Sequence, residues 1–231
     1  LNGVAWYLSV QAFLYAIFPG LLALLKKVDT RRLRCIAAAI FCAQFLFSLA
    51  IWKAGLSGKS IFYLTYLCPL FRAGDFAISC CMGCLYHSRK EERIPHGAFS
   101  LLELAAVLFS GGCFFIAARQ VGALGAVAFR YNVLFTPSAV LLVWLLAVGK
   151  GVISRLLSAK PFLWLAGLSP YGFLIHQVLI RYMELAANKL GLTAHPVVWT
   201  LTVFLLTLCL SSFYKALEHR VRKRHAKAAA R

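Results

Sequence analysis

The chain has 231 residues, of which 61% are A, V, I, L, M, F, W, Y or C and only 14% are charged, with a mean hydropathy of +0.78. A water-soluble domain is about half apolar and a quarter charged, so the apolar surplus has to face a bilayer. The 25 Lys and Arg against 7 Asp and Glu would suit nucleic acid if they formed a patch on a soluble domain. Here they fall in short clusters between apolar segments, which points to cytoplasmic loops on anionic lipid and excludes RNA or DNA as a partner.

Seven apolar spans follow in chain order: Val4 to Leu25 (A), Cys35 to Trp52 (B), Ile61 to Tyr86 (C), Ala98 to Ala118 (D), Val133 to Gly149 (E), Pro161 to Ala187 (F) and Pro196 to Leu217 (G). Their lengths favour an all-α, polytopic helical bundle over a transmembrane barrel. Residues 1–217 read as the membrane domain, with residues 218–231 as a basic cytoplasmic tail against headgroups. The loops between A and B, C and D, and E and F, together with the tail, hold 18 Lys and Arg, against five on the other side. The C-terminus is therefore expected inside and the first residue outside. A chain that starts with Leu and enters the membrane from outside after three residues is expected to be the tail of a longer protein.

The eight cysteines lie mostly inside the spans and read as reduced core residues. Cys80, Cys81 and Cys84 include a CxxC. With no second ligand pair at zinc spacing, no metal is expected there.

An ionisable side chain within a span costs a few kcal/mol and is a functional candidate. The candidates are Arg72 and Asp75 in C, Glu103 in D, and His176, Arg181 and Glu184 in F. Arg72 and Asp75 are three apart, on one helical face, and can pair. That pair reads either as a structural one after Pro69 or as part of a site. Helical rise puts His176 roughly 22 Å from the cytoplasmic end of F and Arg72 roughly 16 Å from the outer end of C. The spans C and F are thus expected to share an outward-open cavity, with Trp6 and Gln11 at similar depth. His176 alone reads equally as a packing residue. Glu103 reads as the partner of a loop cation.

Three stretches carry a resemblance. Trp6-Tyr-Leu-Ser9-Val-Gln11, continuing to Tyr15 and Pro19, resembles the W-x-L-S-V-E-x-x-x-Y-x-x-x-P segment of the acyltransferase-3 family of multispanning membrane acyltransferases. Arg72-Ala-Gly-Asp75-Phe76 followed by Gly83 is similar to its R-x-x-E-F-x-x-G-x-x-x-G segment, and Gly167-Leu-Ser169-Pro-Tyr171-Gly-Phe173-Leu-Ile-His176 to its G-x-x-S-[YF]-x-x-[YF]-L-I-H segment. All three occur in family order. The departures are Gln11 for Glu, Asp75 for Glu, Ser79 for Gly, and Pro170 where an aromatic is usual.

The resemblance implies an inner-membrane, multi-pass enzyme. It would move an acyl group such as acetyl from acyl-CoA, a donor substrate and no bound cofactor, to a hydroxyl of a surface carbohydrate or glycolipid. It further implies that the family's first-helix histidine and R-x-x-R motif lie upstream, so that this stretch is the C-terminal two thirds or so and is inactive by itself. Trp6, Gln11, Arg72, Asp75, Ser169 and Tyr171 would then contact substrate, and His176 would be an auxiliary proton carrier. A transporter, or a receptor or scaffold, is the rival class. A transporter should show internal repeat symmetry between its halves, which is not visible here.

Overall fold

The computed structural model describes residues 6–88, 96–119, 128–130, 132–191 and 195–229. The described residues are helical, with no strands. The chain divides into two compact units, Tyr7–Leu157 and Ser158–Arg231 together with Leu1–Trp6.

The larger unit begins with α1 (Trp6–Leu25) from its second residue on, α2 (Thr30–Lys53) and the short α3 (Gly58–Phe62), which runs into one π-helical turn, Tyr63–Leu67. After these come α4 (Pro69–Ser88), α5 (His96–Arg119), α6 (Thr136–Val148) and the six-residue α7 (Val152–Leu157). Asp29 starts α2 by accepting the Arg32 N–H at 3.2 Å, the usual work of an N-cap carboxylate. Cys68 is extended, with ψ 119°, because a residue before proline is pushed out of the helical region. The chain accordingly bends by 40° between Gly58–Leu67 and Pro69–Ser88, and span C is two helices.

Packing in this unit follows narrow stripes. On α5 the buried residues are Phe99, Glu103, Ala106 and Cys113, spaced as one helical face. Leu101, Leu108, Phe114 and Phe115 on the same helix are exposed, as a lipid-facing surface requires. Phe99 and Ala106 pack with Leu145 of α6. Cys81 of α4 packs with Leu25 and Leu33, and Cys80 and Cys84 join that cluster. All eight cysteines are free, and this trio fills the core as small apolar side chains do.

The smaller unit holds α8 (Lys160–Ala166), α9 (Ser169–Leu190) and α10 (Pro196–Ala229). The first two are bent by 58° at Gly167 and Leu168, just before Pro170. A straight-rod depth for His176 therefore overstates its distance from the start of span F: α8 contributes only about half its ~10 Å length along α9. Helix α10 continues through residues 217 and 218 without a break, so the basic tail is an extension of span G.

Among the described residues, four helices are long and apolar enough to cross a membrane, and six spans result if each bent pair counts as one. The remaining expected span, E, is the 13-residue helix Thr136–Val148. At ~20 Å it is shorter than a ~30 Å hydrocarbon core, so the count of seven is approximate. Pro137 fixes its start, and Gly149 stops it at φ 73°, a left-handed conformation that favours glycine. The loop cations Arg89, Lys90 and Arg93, used for the orientation, lie outside the described residues.

Candidate functional site

The break before Pro69 frees a backbone carbonyl, and Arg72 takes it. Its Nε donates to Tyr66 O at 2.9 Å, while Nη1 lies 3.2 Å from Asp75 Oδ2. The guanidinium carbon also sits 4.7 Å from the centre of the Tyr66 ring, a cation–π distance. Arg72 and Asp75 thus pair as their spacing predicts. The pair is structural in one respect, because it closes a helix break. It is also 21% and 26% exposed, so it is not sealed.

Three residues from other segments complete the cluster. Gln44 of α2 donates from Nε2 to Phe71 O at 3.0 Å and to Asp75 Oδ1 at 3.3 Å. A side chain on Gly74 would run into that amide, its Cβ falling 2.6 Å from Gln44 Nε2, so the glycine is what lets α2 and α4 approach here. The Thr136 hydroxyl stands 3.4 Å from Asp75 Oδ1 and 2.9 Å from Asn132 Oδ1, donating to one of them at a time. Asn132 is only 4% exposed, and its Nδ2 has no hydrogen-bond partner among the described residues.

A cavity of about 480 Å³ opens beside this cluster, between α4 and α6. That is the size of an ordinary small-molecule pocket. Arg72, Asp75, Asn132 and Thr136 form its polar end, Ile78, Met82, Val140, Val143 and Trp144 its length, and Tyr86 and His87 its far end. A second cavity of about 820 Å³, between α1, the start of α2 and α4, shares Ser79, Gly83 and His87 with the first and reaches Lys26 and Asp29.

Glu103 differs from its expected role. It is fully buried, and no cation among the described residues pairs with it. Its carboxylate accepts the N–H groups of Gly151 (3.1 Å), Ile153 (2.9 Å) and Ser154 (3.2 Å), while Ser100 Oγ takes that of Val152. The first amides of α7 are thereby satisfied from another helix. A Cβ on Gly151 would collide with the carboxylate. The loop cation beside it, Lys150, lies 5.5 Å from the Phe99 ring instead.

The other predicted residues are placed as follows. Trp6 opens α1 and is half-buried. Gln11 is one turn before Tyr15 and donates to its hydroxyl at 2.6 Å, so its amide is engaged within α1. Ser169 is exposed at the start of α9. Tyr171 donates its hydroxyl to Glu218 of α10, whose other carboxylate oxygen pairs with Arg222 at 2.5 Å. His176 Nδ1 donates to Gly172 O at 3.1 Å, one turn back, leaving Nε2 as its second polar position. Arg72 and Asp75 belong to the larger unit and His176 to the smaller.

Sequence reasoning missed Gln44, Asn132 and Thr136. Gln44 had a usable signal: it is the sole carboxamide in span B. A search for ionisable groups passes over it, although a buried amide needs partners as much as a charge does.

The comparisons agree with the resemblance seen in the three motifs. No curated protein and no solved structure matches the chain. The model of the acyltransferase-3 family, described as an acyltransferase domain, matches residues 1–215. On that match over most of its length, the chain belongs to the acyltransferase-3 family of membrane acyltransferases.

Proposed function

We propose that the protein transfers an acyl group such as acetyl from acyl-CoA to a hydroxyl of a cell-surface carbohydrate or glycolipid, and that the Arg72–Asp75 cluster orients the reacting groups. The observation that carries this reading is the cavity at the cluster: a charge pair held by Gln44, Thr136 and Tyr66 borders open space, and beside it Asn132 Nδ2 has no partner among the described residues. Acyl transfer needs donors aimed at a carbonyl oxygen that gains charge, and a polar end to hold the attacking hydroxyl. Arg72 and Asn132 supply donors, and Asp75 an acceptor. In the smaller unit, Ser169 and Tyr171 contribute polar contacts at the bend between α8 and α9, and His176 is an auxiliary proton carrier through Nε2. Trp6 and Gln11 border the acceptor. The excess of cations on one side sets the C-terminus in the cytoplasm of an inner membrane.

The test is acyl transfer in membranes that carry the protein expressed from its complete gene. Arg72→Ala should depress transfer far more than Arg181→Ala, because Arg181 is exposed and can snorkel to the interface. Equal transfer by the two variants overturns the assignment. A transporter reading draws on the two broken helix pairs. Substrate flux without covalent transfer would establish it instead.

A further inference from the structure

The cavity of about 820 Å³ between α1, the start of α2 and α4 gathers its polar groups at one end. Lys26 follows the last residue of α1, Asp29 and Thr30 start α2, and His87 and Ser88 finish α4. Away from that end the wall is Phe18, Leu22, Leu25, Leu33, Cys80 and Cys84. Ser79, the one hydroxyl at that depth, donates to Asp75 O of its own helix at 2.9 Å. The deep end is closed by Phe18 against Phe76 of α4, with ring centroids 5.9 Å apart. Leu25 packs with Cys81 nearer the polar end, so α1 and α4 meet at two heights and leave a gap between. Phe18 is 39% exposed, and Ser79 and Gly83 are exposed too, so the gap opens sideways. From Phe18 to Leu25 the α1 axis rises about 10 Å, a third of a ~30 Å hydrocarbon core, which keeps the gap within one leaflet.

The polar end is cationic. Residues 26–34 hold five Lys and Arg against Asp29, and Asp29 already serves Arg32, accepting its N–H at 3.2 Å and lying 3.2 Å from its Nε. The count of cations places this end at the cytoplasmic surface. A soluble anion would use the charge there and leave the apolar gap empty, and a zwitterionic lipid would fill the gap without answering the charge. Both are met by an amphiphile with a single anionic head, and basic pockets between membrane helices on the cytoplasmic side take such heads. We propose that the cavity binds one anionic phospholipid of the cytoplasmic leaflet, its phosphate at Lys26 and Thr30 and an acyl chain rising between α1 and α4 to the Phe18–Phe76 pair. The proposal stands independently of the acyl-transfer reading.

The experiment places the protein, expressed from its complete gene, in phosphatidylcholine nanodiscs that contain a small fraction of phosphatidylglycerol with a diazirine in its chain, and maps the cross-links. Labels are expected on the peptides bearing Phe18 to Leu25 and Cys80 to Cys84, in excess of those on the exposed face of α5 at Leu101, Leu108 and Phe114. Added phosphatidylglycerol should displace them, whereas phosphatidylcholine with the same chains and inorganic phosphate should not. Lys26→Glu, at the mouth, and Leu22→Trp, within the gap, should each lower the excess about tenfold, or ~1.4 kcal/mol of binding, with thermal unfolding showing both variants folded. Labelling no greater than on α5 overturns the proposal, since the lipid is then an ordinary neighbour of the helices. Displacement by phosphatidylcholine removes the selection for charge, and displacement by phosphate makes the mouth a site for a free anion; either result overturns it as well. So does an excess that both variants leave unchanged.

Discussion

Two acidic residues in membrane helices, Glu103 and Asp75, meet opposite fates. Glu103 on α5 is sealed, with one oxygen taken by the Gly151 amide just before α7 and the other by the Ile153 and Ser154 amides of α7. Asp75 on α4 is paired with Arg72 and Gln44, but it borders a cavity and is a quarter exposed. The same sequence signal, a carboxylate within an apolar span, thus marks a structural cap in one place and a site in the other. The distinguishing property is surplus: among the described residues both Glu103 oxygens are taken by amides, whereas the Asp75 cluster borders a cavity and the Asn132 Nδ2 beside it has no partner.

The comparison breaks most visibly at Glu103. Glu103→Ala should cost about 3–5 kcal/mol of stability, the range for stranding buried groups that shared one charged partner. Glu103→Gln should recover part of this, because its single carbonyl oxygen still accepts an amide. Thermal unfolding in detergent measures both. If Glu103→Ala keeps the native melting temperature yet abolishes transfer, the carboxylate is a catalytic group and the contrast collapses.

At the cluster the order of effects should reverse. Arg72→Ala and Asp75→Ala should lower transfer on the order of 10²-fold, as loss of positioning does, with a smaller loss of stability than Glu103→Ala. Arg72→Lys should rescue poorly, because an ammonium cannot reproduce a planar fork that serves Tyr66 O and Asp75 together. Kinetics beside unfolding curves separate the two readouts, and a matching fall in both would make the pair structural only.

Gln44→Ala tests the support behind the cluster. It removes hydrogen bonds to a carboxylate and a carbonyl, and should cost about 1.5–3 kcal/mol, the range for bonds to charged groups. Gly74→Ala should show a related defect by displacing the same amide, and the double variant should fall short of the sum because the two act on one contact. Additive losses would separate them.

The smallest effect is expected at Tyr171→Phe, about 1 kcal/mol, since Glu218 keeps Arg222 as its partner. Chemical denaturation should register that change. A loss beyond ~3 kcal/mol would place the hydroxyl among the main supports of the smaller unit.

Much of the fold was legible because lipid demands long apolar runs: α1, α2 and α5 follow spans A, B and D, and α10 starts with span G and runs on past its expected end. Pro69 and Pro170 marked the two bends, although their angles depend on packing. The Arg72–Asp75 pairing was legible because a helix fixes its i, i+3 neighbours. The partners of Glu103 were not, because they are backbone amides about 50 residues away that bear no side-chain signature. Nor was Thr136, 61 residues from Asp75 and placed by the turn that Asn132 O closes with the N–H groups of Phe135 and Thr136.

Helix α10 has 34 residues, about 51 Å of unbroken rod, and a bilayer core accounts for only ~30 Å of it. The remainder is a lever rigidly joined to the span. A twist of the intramembrane part by one residue, 100°, would swing the protruding end by the same angle and sweep its cations around the axis. A spin label on that end would act as a protractor for rotations deep in the bilayer, converting movement inside the lipid into an angle measurable in water.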